Sequence, residues 1–185
     1  MNTVEPIRDW DLLLDIEDYL KDKNERDYVW FMSGIFLGRR ISDILPLKVR
    51  DVKNKDFIYI REKKTGKEAR LPINEELKEI YREYCKGKKD YEYLFRSRGK
   101  NKPITRQRVW QILNDVAREF EYKDKIGCHT LRKTFGYWLY QDTKDAVAIQ
   151  DMLNQSDISI TKRYIGVTQD TNDSIMKGMS FRKRR

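Results

Sequence analysis

Cys128-His129-Thr130-Leu131-Arg132, followed across a short amphipathic segment by Lys162-Arg163-Tyr164-Ile165, is the stretch from which the rest of the chain can be read. A histidine and an arginine three apart share one face of a helix. A tyrosine farther along can be carried to the same pocket, which makes a phosphate clamp with a candidate nucleophile. The plain alternative is a helix start with two solvated polar residues. His129 is the only histidine in the protein.

The chain is 185 residues long, enough for one ordinary domain with a single substantial core. Its 39% hydrophobic fraction, with 11 Tyr, 7 Phe and 4 Trp, supports a folded core despite the high charge. Thirty-nine Lys+Arg against 30 Asp+Glu leave a net charge of +9. A polyanion is the natural partner, and nucleic acid is favoured over membrane because no long apolar run or basic anchor is present. Glu5, Asp9, Asp11, Asp15, Glu17 and Asp18 give the start of the chain the wrong composition for a secretory or transit signal. A cytoplasmic protein is therefore expected. Cys85 and Cys128 form neither a disulfide framework nor a zinc spacing. They read as reduced, mostly buried thiols, and no metal or cofactor is expected.

Taken in order, the pattern predicts a helix from Asp9 to Lys21 with Leu13, Leu14, Ile16 and Leu20 apolar. A second helix, capped by Asn24, runs through Tyr28-Val29-Trp30-Phe31-Met32 and ends at Gly38. Arg39 and Arg40 then sit between two apolar runs, an awkward place for two charges unless one faces a buried anion or carboxylate. Asp43, three residues after Arg40, can orient its guanidinium; an exposed ion pair worth little is the alternative. Phe57-Ile58-Tyr59-Ile60 and Glu68 to Ile73 read as a β-hairpin with Lys63, Lys64 and Lys67 at its tip. Asn74 caps a helix to about Cys85. Tyr91 to Phe95 reads as a third strand.

Arg96, Arg98, Lys100, Lys102, Arg106 and Arg108 are six cations in a stretch without an acid. Their loop leads into a helix capped by Thr105, with Val109, Ile112, Leu113, Val116, Ala117 and Phe120 at helical spacing. The start of that helix suits a backbone phosphate. A helix from His129 buries Leu131, Phe135, Trp138 and Leu139, and another spans Asp145 to Leu153. An amphipathic piece from Asp170 to Met176 precedes the basic tail Arg182 to Arg185. No repeat or linker divides the chain, so residues 1–185 read as one domain, mainly α with a small antiparallel β-sheet.

In this order, Gly38-Arg39-Arg40-Ile41-Ser42-Asp43, Lys64-Thr65-Gly66, His129-Thr130-Leu131-Arg132 and Arg163-Tyr164 resemble the catalytic domain of the tyrosine recombinases, the phage and transposon integrase family. The resemblance runs from about residue 9 to Tyr164. It implies that Arg40, Lys64, His129, Arg132 and Tyr164 are catalytic, with Asp43 supporting Arg40. Tyr164 would attack a DNA phosphodiester and leave a 3′-phosphotyrosine, without metal or ATP. Arg40 and Arg132 would stabilise the phosphate charge, and Lys64 would protonate the leaving 5′ oxygen. His129 would orient or deprotonate the tyrosine, or ligate the phosphate. Lys63, Lys67 and the cations from Arg96 to Arg108 would hold double-stranded DNA at its attachment sites.

The sequence departs from the family's pattern at Leu153-Asn154-Gln155-Ser156, where relatives usually read Leu-Gly-His-Ser. Gln155 can donate to a phosphoryl oxygen but cannot hold a proton, which implies a slower chemical step. Arg39 replaces an apolar residue and is expected to point to solvent. The resemblance further implies a tetramer on DNA, a monomer in isolation, a segment from about Gly166 that packs on a neighbouring protomer, and a separate N-terminal core-binding domain, which residues 1–8 are not expected to supply, so that the chain is expected to be either an excised catalytic domain or a naturally short member. Rival readings are a DNA-binding relative that has lost chemistry, a type IB topoisomerase-like enzyme, and a basic module for RNA or acidic proteins.

Overall fold

Residues 4–155, 157–165 and 176–179 are described by a computed structural model, with the backbone alone described at Ile160, Arg163, Tyr164 and Ile165. Two units are distinguished, Met1–Phe135 and Gly136–Arg185. The fold class is the expected one: among the described residues, helices with one two-stranded antiparallel sheet.

In the first unit Asp9 caps α1 (Trp10–Lys23) by accepting the Leu12 N–H at 3.1 Å. Leu13, Ile16 and Leu20 face the core, whereas Leu14 remains exposed. Asn24 caps α2 (Glu25–Leu37), and Trp30 and Phe31 are fully buried. Burial of each such side chain contributes on the order of 2 kcal/mol. The helix stops at Gly38, whose φ of 58° lies in the left-handed region. A Cβ there would lie 2.4 Å from the Phe135 ring, so both backbone angle and space require glycine. Two short helices follow, α3 (Ile41–Ile44) and α4 (Val49–Val52).

The hairpin pairs β1 (Phe57–Arg61) with β2 (Glu68–Pro72), in register from Phe57↔Pro72 to Arg61↔Glu68. Ile58 and Ile60 point inward, while Phe57, Tyr59 and Arg61 point outward. Tyr91 to Phe95 is not a third strand; it contributes one isolated bridge, Lys48↔Tyr93. Leu94 and Phe95 are both fully buried, which breaks strand alternation, and the Leu94 carbonyl accepts from the Tyr84 hydroxyl at 2.9 Å. Helix α5 (Glu75–Tyr84) is capped by Asn74, and α6 (Arg106–Glu119) by Thr105. Val109, Ile112, Leu113 and Val116 of α6 are buried as the spacing predicts.

The unit boundary falls within α7 (Thr130–Thr143), not in a linker. In the second unit Asp145 caps α8 (Ala146–Met152) through the N–H groups of Val147 and Ala148. This helix packs on α9 (Ile158–Ile165), with Ile149, Leu153 and Thr161 fully buried. Ser156, residues 166–175 of the segment from Gly166 and the tail Arg182–Arg185 lie outside the described residues, as does the expected piece from Asp170 except Met176.

Candidate functional site

The αL turn at Gly38 places three functional groups. It ends α2, releases Arg39 and Arg40 toward the hairpin, and turns its own carbonyl to Arg132, whose Nη1 donates at 3.0 Å. Arg132 is 2% exposed and lies 94 residues from Gly38 in sequence. Of the pair His129 and Arg132, Arg132 is therefore not a solvated residue at a helix start, whereas His129 is exposed. Lys133 is buried and donates to the Val4 carbonyl at 2.8 Å.

Arg40 donates through Nη1 to Glu62 Oε2 at 2.8 Å. Asp43 stands farther off, at 3.9 Å, and uses Oδ1 to accept the Lys63 N–H at 3.0 Å. Glu62 is thus the nearer carboxylate that orients Arg40, and motif reading passed over it. A signal was there: the alternation that buries Ile58 and Ile60 puts Glu62 on the inward face as well. A carboxylate at an inward position needs a cation. Arg39 is also not solvent-facing; it is 5% exposed and donates to Glu62 Oε1 at 2.8 Å. Burial lowers its pKa and Glu62 opposes that shift. The Thr65 hydroxyl donates to Glu62 Oε2 at 2.9 Å, which ties the Lys63-Lys64-Thr65 turn to the arginines.

Lys64 itself is exposed in that turn, as are Lys63 and Lys67. His129 precedes α7 and does not lie within it; its carbonyl accepts the Lys133 N–H at 3.0 Å. His129 is exposed. Its pKa is lowered from the ordinary 6.5, first by loss of water on the packed side and then by Arg106, Arg132, Arg40 and Lys133. The first unit therefore gathers Arg40, His129 and Arg132, together with Arg106, which sequence reading placed only among the DNA-holding cations. Arg106 opens α6 beside Cys128, whose thiol donates to the Arg106 carbonyl at 3.8 Å. Cys85 is buried as expected, its thiol pushed up to about 11 by burial, while Cys128 is half-buried.

Arg96, Arg98, Lys100, Lys102 and Arg108 are exposed. An isolated Arg96↔Pro103 bridge closes their loop, and Arg26 donates to the Arg96 carbonyl at 3.1 Å. Among the described residues no group of acidic, His and Cys side chains fits a metal ion, and no helix is long and apolar enough to cross a membrane.

In the second unit, Gln155 is placed by the end of α8. The Asn154 N–H bonds the Asp151 carbonyl at 2.9 Å and the Gln155 N–H bonds the Gln150 carbonyl at 3.0 Å, a Schellman closure with Asn154 at φ 50°. Asparagine tolerates that angle better than other non-glycine residues. The Gln155 Oε1 accepts from the buried Thr161 hydroxyl at 2.7 Å, which leaves the amide N–H₂ as the free donor among the described residues. Tyr164 lies in α9, three residues after Thr161; its side chain is outside the described residues.

The profile of the phage integrase family matches residues 9–170. The chain belongs to this family. Among the chain's relatives is the probable integrase/recombinase YoeC of Bacillus subtilis (strain 168), 47% identical over 177 residues, which are 96% of this chain and 97% of that one. A tyrosine recombinase of Pseudothermotoga lettingae is 33% identical over 159 residues, covering 84% of this chain but 54% of the relative. The chain thus spans about half the length of that recombinase. In fold it is similar to the XerA recombinase crystal structure, with a TM-score of 0.75 at 19% identity over 99% of this chain and 67% of that one. The Tn1549 transposon integrase in complex with a circular intermediate DNA gives 0.76 at 18%, over 97% and 67%.

Proposed function

We propose that this integrase cuts and rejoins double-stranded DNA at attachment sites through a covalent 3′-phosphotyrosyl link to Tyr164. The observation that carries this reading is the convergence of Arg40, Arg106, His129 and Arg132, with the Arg40 guanidinium held by a fully buried carboxylate. Arg40 spends one nitrogen on Glu62; its Nε and Nη2 carry no hydrogen bond among the described residues. Those donors suit two non-bridging phosphate oxygens, and each such contact to transition-state charge supplies about 3 kcal/mol.

The Tyr164 oxygen attacks phosphorus, and the bond to the 5′ oxygen breaks. Lys64, on the exposed hairpin turn, supplies the proton that the 5′ oxygen takes. The lowered pKa keeps His129 neutral near pH 7, so its imidazole is able to accept the phenol proton or to orient the hydroxyl. The Gln155 amide donates to a phosphoryl oxygen. Attack by an incoming 5′ hydroxyl reverses the step and reseals DNA, and no external energy source is needed because the phosphodiester energy is kept in the tyrosyl link. The exposed cations Lys63, Lys67, Arg96, Arg98, Lys100, Lys102, Arg106 and Arg108 bind backbone phosphates. Four protomers on two duplexes make the working assembly, with the isolated chain a monomer.

Incubation with nicked DNA bearing a cognate site, followed by a denaturing gel, tests this. A covalent protein–DNA adduct is expected from the wild type and none from Tyr164→Phe, with DNA binding retained. An adduct that persists in Tyr164→Phe would refute the assignment. Gln155 is the one observation favouring a binding-only relative, and a wild type that binds several cognate sites without any adduct would support it.

A further inference from the structure

Arg39 has no place in the chemistry above, yet it is almost completely buried against the group that orients Arg40. Glu62 divides its two oxygens: Oε1 accepts from Arg39, and Oε2 accepts from Arg40 and from Thr65. Asp43, whose side chain is fully buried, adds a second carboxylate at 3.9 Å from Arg40. Arg39 and Arg40 both face these two carboxylates. Without Arg39 the same place would hold one guanidinium between two carboxylates. Glu62 Oε1 would lose the Arg39 donor and could turn toward Arg40, taking up the fork that a phosphate needs and making the local charge less positive.

We propose that Arg39 is a positioning residue: it occupies Glu62 Oε1 and supplies the countercharge that lets Glu62 brace Arg40 without cancelling it. The inference rests on the phosphate role given to Arg40 in the strand-transfer reading. Its effect is twofold. Geometrically, Arg40 is held by a single contact at one nitrogen, so its remaining donors keep a fixed direction. Electrostatically, Arg39 offsets part of the negative charge that Glu62 and Asp43 would present to an incoming phosphate.

A merely structural ion pair would behave differently from such a device. Losing either partner would harm folding, and removing both would be needed only to restore stability. The device predicts opposite signs for the two partners in anion binding. Arg39→Met weakens it because Glu62 withdraws Arg40, whereas Glu62→Gln does not weaken it because a negative charge is gone.

The test uses inorganic phosphate with the full chain, followed through the ring C–H resonance of His129, the only histidine. Adduct formation on nicked DNA is measured in parallel. Arg39→Met is expected to weaken phosphate binding about fivefold, the effect of one unit charge near a partly screened anion. It should slow adduct formation about tenfold or more. Arg39→Met/Glu62→Gln should recover most of both. If Arg39→Met does not fold, Arg39→Gln takes its place, because it keeps a donor for Glu62 Oε1 without the charge. An Arg39→Met protein within twofold of wild type for phosphate, or an Arg39→Met/Glu62→Gln protein no better than Arg39→Met, would overturn the inference. An absent wild-type adduct alongside the expected phosphate pattern would count against strand transfer and leave the role of Arg39 supported.

Discussion

The two units position their functional residues by different means. In Met1–Phe135 the contacts that matter join residues distant in sequence: Gly38 with Arg132, and Arg39 and Arg40 with Glu62. They are buried and mostly ionic. In Gly136–Arg185, Gln155 is held by a helix end and by Thr161, six residues on, through neutral hydrogen bonds. The charged donors of the first unit are therefore preorganised by tertiary packing, and the neutral donor of the second by local helix geometry. A fault in the first should propagate through the core, whereas a fault in the second should remain confined.

Gly38→Ala is the most severe way to examine that contrast. The added Cβ meets Phe135 and a φ of 58°, so a loss of about 2–4 kcal/mol is expected in denaturant unfolding, together with loss of adduct formation. The corresponding position in the second unit, Asn154→Gly, removes a side chain from the same region of backbone space. Its stability should stay within about 0.5 kcal/mol of wild type. Equal penalties for the two would break the comparison.

Arg132→Met should reduce adduct formation about 10²-fold or more, because a phosphate donor and the Gly38 carbonyl's partner disappear together. Thr161→Val is expected to act more gently. It removes the hydroxyl that orients the Gln155 amide, with a cost of about 1 kcal/mol and a several-fold slower adduct. Gln155→His should speed the adduct relative to wild type in the same gel assay. A Thr161→Val protein as impaired as Arg132→Met would show that the second unit is as tightly coupled as the first.

The smallest effect is in pH. His129 has a lowered pKa, so the unfolded chain takes up its proton first as pH falls below 6.5. Stability should therefore decline from about pH 6.5 down through the folded pKa, and His129→Asn should flatten that part of the profile. A His129 resonance that titrates above 6.5 without phosphate would contradict the cationic surroundings inferred for it.

Much of the helical frame was legible because its signals are local. Asn24, Asn74 and Thr105 cap as predicted, and Gly38 terminates α2 as predicted. The hairpin followed from its period-two pattern and glycine turn. Tyr91 to Phe95 misled because its strand composition came from two consecutive buried side chains, not from alternation. The arginine pair between apolar runs announced a buried carboxylate, but the nearest acid in sequence, Asp43, was assigned to it. Glu62 lies nearer in space, brought there by a hairpin that proximity in the chain does not represent. For the same reason Arg39 was read as solvent-facing.

By itself the sequence determined the longer helices, the hairpin, the basic character of the chain and the motifs that mark the integrase family, since propensity, periodicity and composition act within a few residues, whereas α4 and α9 were not legible in it. Only tertiary structure decided which carboxylate braces Arg40, that Arg39 and Arg132 are buried, and that Arg106 stands near His129. The reason is physical: a charge survives burial only beside a partner, and that partner is chosen by distance in space after the chain has packed.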